Sequence, residues 1–279
     1  MLPLLAHHLV SSDERAPEAW LLVLHGVFGL GANFRSIARA LVKRRPEWGV
    51  VLVDLRGHGE SQDRPPPHDL ATAASDIEAL VTRLGKPVAG ILGHSFGGKV
   101  ALAYLERHPG TMKVAFVLDS MPGARTPSAQ NDTVTDVLGT LESLPRVLPS
   151  REAFKAELAA RGYSSMIVDW LAMNVRRCPD GADGYNLRLD LPAIRSMLLD
   201  YWQRDLWPVM ERASSAERLV LLVGGRSTVF GEPGLERARE AASSNPALRV
   251  EVLPNAGHWL HADDPEGVLA LIDKHLPTL

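Results

Sequence analysis

Residues 93–97 read GHSFG and lie between an apolar run, VAGIL at 88–92, and a stretch with helical spacing at 99–108. This order predicts a strand, a sharp turn and a helix, with Ser95 at the turn. A glycine two residues to either side of the serine leaves room for the turn, which holds the hydroxyl clear of the backbone. The start of a helix also favours negative charge that develops during a reaction. We therefore predict that Ser95 is a catalytic nucleophile.

A serine hydroxyl needs a neighbouring base to take its proton, and His258 is the histidine best placed for this role. It lies in the segment NAGHW at 255–259, directly after the last predicted strand at 249–253. That position puts it at the carboxyl edge of the sheet, where Ser95 is also expected. Its place after the serine in the chain fits the order serine, acid, histidine. His94 is expected to point into packing instead.

The third catalytic residue is an acid, and the sequence offers several candidates. The loop at 224–230 reads GGRSTVF and carries Ser227 where an aspartate is common. Asp119 follows the predicted strand at 114–118 and lies one strand along from Ser95, so we favour it as the partner of His258. An aspartate before Ser and Pro-Gly is also typical of a turn cap. The other acids in reach of this edge are Glu232, Asp205 and Asp263.

Two backbone N–H groups are expected to form an oxyanion hole, which stabilises the negative oxygen of a tetrahedral intermediate. One belongs to Phe96, the residue after the nucleophile. The other comes from the loop HGVFG at 25–29, where we assign Val27 and keep Phe28 as the alternative. His25 is expected to support this loop.

Strands and helices alternate on both sides of a long segment that lacks strand signals. The predicted strands are 20–24, 50–53, 88–92, 114–118, 219–223 and 249–253, and helices at 33–45, 71–84, 99–108, 235–242 and 265–275 separate or follow them. The alternation predicts an α/β fold with a mostly parallel sheet and helices on both faces. The segment 121–208 shows only helical stretches, at 132–144, 151–161, 164–175 and 192–203. We predict a core of residues 1–120 and 209–279 and an all-helical lid of residues 121–208.

The composition is that of a globular protein, and we expect its partner to be a small molecule. Among 279 residues, 46% are hydrophobic and the net charge is -3, with no basic stripe that would indicate nucleic acid or an anionic membrane. Cys178 is the one cysteine, so no intramolecular disulfide can form. The N-terminal residues lack the pattern of a signal peptide, and no apolar run reaches the roughly 20 residues of a membrane span. We expect a cytoplasmic monomer or homodimer.

Two further patterns resemble cofactor or metal sites but lack a necessary part. The segment GLGANF at 29–34, with Asp54 after the next strand, resembles half of a dinucleotide fingerprint. Its third glycine is replaced by Phe34, so we expect no dinucleotide. A possible metal cluster lacks the spacing of a zinc motif, and we expect neither metal nor cofactor. Its members are His258, His261, Asp263 and Asp264.

The motifs together resemble those of the α/β-hydrolase superfamily, and within it the group of abhydrolase domain-containing protein 11 with its bacterial and plant esterase relatives. The resemblance rests on residues 25–29, 33–34, 54–59, 93–99, 118–119 and 256–261, and the stretch 144–170 looks like the plant members. It implies the α/β-hydrolase fold and ester hydrolysis by a Ser–His–Asp triad without a cofactor. Bacterial members carry an acid in the position of Asp119, whereas some animal relatives are assigned one later in the chain.

These observations predict a hydrolase of carboxylic esters or thioesters with small to medium acyl groups, acting through an acyl-Ser95 intermediate. The same triad would also serve acyl transfer, lysophospholipid hydrolysis or C–C bond hydrolysis. A ligand receptor without catalysis is a further alternative, which an intact set of Ser95, His258 and an acid disfavours. Aromatic and methionine side chains of the lid are expected mostly in its core, with a few lining an apolar pocket: Met166, Trp170, Met173, Met197, Trp202 and Trp207.

Overall fold

The computed structural model describes residues 3–125, 133–179 and 182–279. Its main strands are β1 (His7–Val10), β2 (Ala19–Leu24), β3 (Trp48–Val53), β4 (Val88–His94), β5 (Val114–Leu118), β8 (Leu219–Gly224) and β9 (Leu248–Leu253), and two short strands are β6 (Val175–Arg177) and β7 (Tyr185–Leu187). The helices are α1 (Arg35–Arg44), α2 (Leu70–Leu84), α3 (Phe96–Arg107), α4 (Thr133–Ser143), α5 (Arg151–Ala160), α6 (Ser165–Ala172), α7 (Leu191–Gln203), α8 (Trp207–Glu211), α9 (Gly231–Ser244), α10 (Leu260–Asp263) and α11 (Pro265–His275).

The seven main strands form one sheet in the order β1-β3-β2-β4-β5-β8-β9. Strand β1 runs antiparallel to β3, and the remaining pairs are parallel. This arrangement confirms the predicted fold class of a mostly parallel sheet. Strand β1 was not predicted from the sequence, because its residues HHLV lack a continuous apolar run and lie at the edge of the sheet.

Helices cover both faces of the sheet, because successive side chains of a strand point to opposite sides. In β2, Leu22 and Leu24 belong to one apolar cluster, which also contains the buried faces of α2 and α3. Leu21 and Val23 belong to a second cluster, with the buried faces of α1 and α11. Both sides of the central strands are therefore buried, and the sequence shows them as unbroken apolar runs.

The segment between β5 and β8 is mainly helical, but the prediction that it is all-helical is wrong. Strands β6 and β7 pair antiparallel, with Val175 opposite Leu187. Each strand has only three residues and β6 carries two arginines, so neither shows the alternation that predicts a strand. The helix predicted at 164–175 ends earlier, at Ala172, and residue 132, where another helix was predicted to begin, lies outside the described residues.

Among the described helices, none is long and apolar enough to cross a membrane.

Candidate active site

Ser95 lies on a tight turn between β4 and α3. Its backbone has φ of 51° and ψ of -116°, a left-handed conformation that side chains adopt only under strain. The turn requires both neighbouring glycines. A Cβ on Gly93 would lie 2.1 Å from the carbonyl oxygen of Gly97, and one on Gly97 would lie 2.5 Å from the carbonyl oxygen of His25. The helix begins at Phe96, three residues before the predicted start, so Ser95 directly precedes its first turn.

The structure brings Ser95, His258 and Asp119 into one hydrogen-bonded series. The Nε2 atom of His258 lies 3.1 Å from the Oγ atom of Ser95, and its Nδ1 atom lies 2.7 Å from Oδ2 of Asp119. Since the carboxylate can only accept, Nδ1 carries the ring proton and Nε2 is left to accept from the serine hydroxyl. Asp119 is fully buried, whereas 29% of the His258 side chain is exposed.

The Asp119 carboxylate accepts hydrogen bonds from three different parts of the chain. Besides His258, the backbone N–H of Gly224 donates to Oδ1 at 3.1 Å, and the hydroxyl of Ser227 donates to Oδ2. Ser227 is the residue that stands where an aspartate is common in the late loop. Its hydroxyl therefore lies where the carboxylate of such an aspartate would be expected. It contacts Asp119 there, and Asp119 contacts His258. Apart from the replaced residue itself, no pattern in the sequence indicates this contact.

The other candidate acids make different contacts. Asp205 accepts from the backbone N–H of Trp207 at 3.0 Å, at the start of α8. Asp263 accepts from the backbone N–H of Gly257 at 2.7 Å and so braces the His258 loop without touching the imidazole. Glu232 is exposed in the first turn of α9. Within the described residues, Asp119 is the carboxylate that contacts His258.

His94 connects the turn of Ser95 to the loop of His258. Its Nε2–H donates to the backbone carbonyl of His258 at 2.8 Å. Burial lowers the pKa of His94 well below its ordinary value, and the rings of His261 and His258 lower it further. The neutral ring can therefore hold His258 in place without adding a charge beside it. Packing was expected for His94; its hydrogen bond to the His258 loop was not.

The backbone N–H groups of Val27 and Phe96 are the donors left unused at the predicted oxyanion hole. The alternative, Phe28, donates its N–H to Nε2 of His58 at 3.1 Å. No described residue accepts from the N–H of Val27, and the first N–H of α3, that of Phe96, has no partner within the helix. The structure therefore favours Val27 over Phe28 for this role.

Two buried histidines hold the loop at 25–29 against the loop that follows β3. His25 donates from Nδ1 to the carbonyl of Gly26 at 2.7 Å, and its Nε2 accepts from the N–H of Leu55 at 3.0 Å. Burial lowers the pKa of His25 to about 4 and that of His58 to about 3. Both rings are therefore neutral near pH 7, which each needs in order to donate with one nitrogen and accept with the other.

A cavity of about 270 Å³ opens beside Ser95 between the sheet edge and the segment 121–208. On the sheet side it is lined by the loop at 25–29, Ser95, Phe96 and His258. The other side is mostly apolar and is formed by Val134, Val137, Ile167, Trp170, Leu198, Tyr201 and Trp202, with Arg125. Of the six aromatic and methionine residues singled out in the sequence, Trp170 and Trp202 line the cavity. Met197 and Trp207 are buried in the core, and Met166 is exposed.

The two patterns that resembled cofactor or metal sites serve other purposes. Asp54 accepts from the backbone N–H of Gly31 at 2.9 Å, which joins the loop after β2 to the loop after β3. Asp264 caps α11 by accepting from the N–H of Gly267 at 2.9 Å. In the part of the chain that the structure describes, no three His, Cys, Asp or Glu side chains are grouped so that they could hold a metal ion.

Most of the chain matches a known protein family. The family model described as the alpha/beta hydrolase family matches residues 21–271. The chain is an α/β hydrolase.

The relatives of this α/β hydrolase include proteins named as lipases, esterases and an acyltransferase. It is 27% identical over 277 residues to the mouse (Mus musculus) protein named sn-1-specific diacylglycerol lipase ABHD11, covering 98% of this chain and 85% of the relative. It is 33% identical over 282 residues to a Saccharomyces cerevisiae protein named probable alcohol acetyltransferase, covering 95% and 80%. Among solved structures, one named marine microorganism esterase superposes with a TM-score of 0.83 at 24% identity, covering 98% of this α/β hydrolase and 99% of that chain.

Proposed function

We propose that the chain hydrolyses carboxylic esters or thioesters of small to medium acyl groups through an acyl-Ser95 intermediate. One observation carries the proposal: the hydrogen-bonded series of Ser95, His258 and Asp119 faces a cavity, and the N–H groups of Val27 and Phe96, which also line it, have no acceptor among the described residues. The family, in which several relatives bear esterase or lipase names, supports the same reaction class.

In the first half of the proposed reaction, the Oγ atom of Ser95 attacks the carbonyl carbon of the ester while Nε2 of His258 takes the hydroxyl proton. The negative oxygen of the tetrahedral intermediate accepts from the N–H groups of Val27 and Phe96. The bond to the leaving alcohol or thiol then breaks, and the imidazolium returns its proton to that group. The acyl group remains on Ser95.

In the second half, water takes the place of the leaving group. Nε2 of His258 removes a proton from the water, and the resulting hydroxide attacks the acyl carbon. Collapse of this intermediate breaks the bond to Oγ and releases the carboxylic acid, and the serine recovers its proton from His258. Throughout, Asp119 accepts from Nδ1, keeps the ring in one tautomer and stabilises its positive charge.

The segment 121–208 is proposed to act as a lid that supplies the acyl-binding wall, while residues 1–120 and 209–279 supply the catalytic edge. Apart from Arg125 and Thr133, the described lid-side lining is apolar and aromatic, which suits an acyl chain and keeps water from the reacting carbonyl. A volume of about 270 Å³ fits a small or medium acyl group.

Labelling with a fluorophosphonate probe tests the proposal, because such probes react only with an activated serine. We expect the native protein to be labelled at Ser95 and to hydrolyse p-nitrophenyl esters of short acids. Ser95→Ala is expected to abolish both, and Ser11→Ala, a change at an exposed serine, is the matched control. Native protein that is folded but not labelled at Ser95 would refute the proposed function.

Acyl transfer is the second candidate, and the yeast relative named as an acetyltransferase favours it. It would use the same acyl-Ser95, attacked by an alcohol instead of water. Adding ethanol to the hydrolysis assay separates the two reactions. A transferase would form mainly ethyl ester at alcohol concentrations far below that of water, whereas a hydrolase would release mainly free acid.

A further inference from the structure

One of the described residues that line the cavity carries a formal charge. Among the described residues that line it, Arg125 is the only arginine, lysine, aspartate or glutamate. Besides His258 and the phenol of Tyr201, the other titratable side chains are histidines, and burial lowers the pKa of His25 and of His261 to about 4 and that of His94 well below its ordinary value. These rings are neutral near pH 7. The apolar cavity therefore presents one cation to a substrate and, within the described residues, no carboxylate.

Hydrogen bonds fix the backbone on which Arg125 stands. Its own N–H donates to the carbonyl of Trp202 at 2.8 Å. Two residues earlier, the carbonyl of Gly123 accepts from Nζ of Lys99 at 2.9 Å. The same fully buried ammonium also donates to the carbonyl oxygens of Tyr201, at 2.6 Å, and Arg204, at 2.8 Å. Lys99 thus joins the segment of Arg125 to the end of α7, both anchored on the helix that begins after Ser95.

The Arg125 side chain lies at the rim of the cavity. Its Cζ atom is 6.0 Å from the centre of the Tyr201 ring, within the range of a cation–π contact, and the side chain is exposed. Such a contact uses the face of the guanidinium and leaves its N–H groups available to an acceptor in the plane.

No carboxylate of the described residues lies within ion-pair distance of Arg125. Two aspartates in and after α7, Asp200 and Asp205, have other contacts. Asp200 accepts from the N–H of Leu70 at 2.8 Å, and Asp205 accepts from that of Trp207. Glu106 is paired with Arg204. The guanidinium can therefore bind a planar or tetrahedral anion through two parallel hydrogen bonds without displacing a partner among these groups.

We propose that Arg125 selects ester or thioester substrates that carry an anionic group, a carboxylate or a phosphate, at the end bound on the lid side of the cavity. The proposal rests on the function proposed above and adds a substrate class to it. The anion can belong to the acyl part, as in the monoester of a dicarboxylic acid, or to the leaving group, as in a phosphorylated thiol.

Two matched substrate pairs test the proposal and distinguish these sources. The first compares the p-nitrophenyl monoester of adipic acid with its methyl-capped neutral form. The second compares S-acetyl-4′-phosphopantetheine with S-acetylpantetheine. In one of the pairs we expect kcat/KM for the anionic member to exceed that for the neutral member by about tenfold or more, because a hydrogen bond to a charged group contributes this much. The preferred pair identifies the part that carries the anion.

Substitutions at Arg125 provide the second arm of the test. Arg125→Gln is expected to lower kcat/KM for the anionic member to about that of the neutral member, which removes the preference, and Arg125→Lys is expected to restore part of it. Arg177→Gln, at an exposed lid arginine outside the cavity lining, is the matched control and should keep the preference. Labelling of each variant by the fluorophosphonate probe at the native rate shows that its site is intact.

The outcomes separate this proposal from the function on which it rests. Hydrolysis of both members of each pair at equal rates, unaffected by Arg125→Gln, would overturn the anion preference and leave the ester hydrolase intact. Absence of both hydrolysis and Ser95 labelling in folded native protein would refute the proposed function, and the anion preference with it.

Discussion

On the sheet side of the cavity, the side chains of the proposed triad are fixed by hydrogen bonds, whereas the opposite side, which belongs to the proposed lid, is built mostly from apolar contacts. His258 is held through both ring nitrogens and through its own carbonyl, which accepts from His94. Trp170, opposite, touches its neighbours through ring contacts, 6.3 Å from Phe28 and 5.8 Å from Trp259 between centroids. Hydrogen bonds depend steeply on angle and distance, and apolar contacts much less. The sheet side is therefore suited to hold the reacting groups in position, and the lid side is suited to determine which substrate binds.

If the sheet side holds the reacting groups in position, the largest effect on kcat comes from breaking the hydrogen bond between His258 and the buried Asp119. Asp119→Asn is expected to lower kcat by about 10⁴-fold, because an amide favours the wrong tautomer of His258. Steady-state hydrolysis of a p-nitrophenyl ester measures it. Asp263→Asn, which changes an acid that contacts the same loop through its backbone, is the matched control and should stay within a few-fold of the native rate. Near-native turnover by Asp119→Asn would show that Asp119 is not the acid of the triad, and Glu232 would become the candidate for that role.

A smaller effect is expected from the hydroxyl that supports this acid. Ser227→Ala removes one of three donors to the Asp119 carboxylate, and we expect kcat to fall about tenfold, the cost of one charge-assisted hydrogen bond. Ser227→Thr keeps a hydroxyl and should recover most of the rate. An equal loss in both variants would show that packing of the loop matters and the hydrogen bond to Asp119 does not.

The smallest effect on rate, and the clearest effect on selectivity, is expected on the lid side. Trp170→Ala enlarges the apolar cavity, so the ratio of kcat/KM for p-nitrophenyl octanoate to that for the acetate should rise about three- to tenfold. Leu199→Ala, at an exposed position of α7, is the control and should leave the ratio unchanged. If Trp170→Ala lowers kcat for both esters equally, the lid side also fixes the reaction, and the comparison fails.

The difference between the two sides of the cavity also explains which features could be predicted from the sequence. The position of Ser95 follows from a motif of adjacent residues between a strand and a helix, and those of His258 and Asp119 follow from the rule that parallel strands end at one edge. The contacts of Ser227 with Asp119 and of His94 with the His258 carbonyl join residues 108 and 164 positions apart. Such contacts depend on the final packing of loops, for which no local pattern exists.

The lid side was the least predictable part. Apolar periodicity indicated its helices but did not predict which of their faces point toward Ser95. The short strands β6 and β7 were not predicted, because their apolar and polar residues do not alternate. The role proposed for Arg125 could likewise not be predicted, since an arginine after Pro-Gly-Ala resembles any solvated loop residue. Only the arrangement of α7 and Lys99 brings it to the cavity.

The pairing of β5 with β8 has a consequence for how proteins of this architecture diversify. Phe116 lies opposite Val220, so the chain departs from the sheet and rejoins it at neighbouring positions. Insertions, deletions or wholesale replacement of the intervening segment leave the strand register unchanged, because its two attachment points are already held together. Replacing the proposed lid with that of a relative should therefore transfer the relative's substrate preference. New specificities can arise in this way without any change in the residues at the carboxyl edge of the sheet.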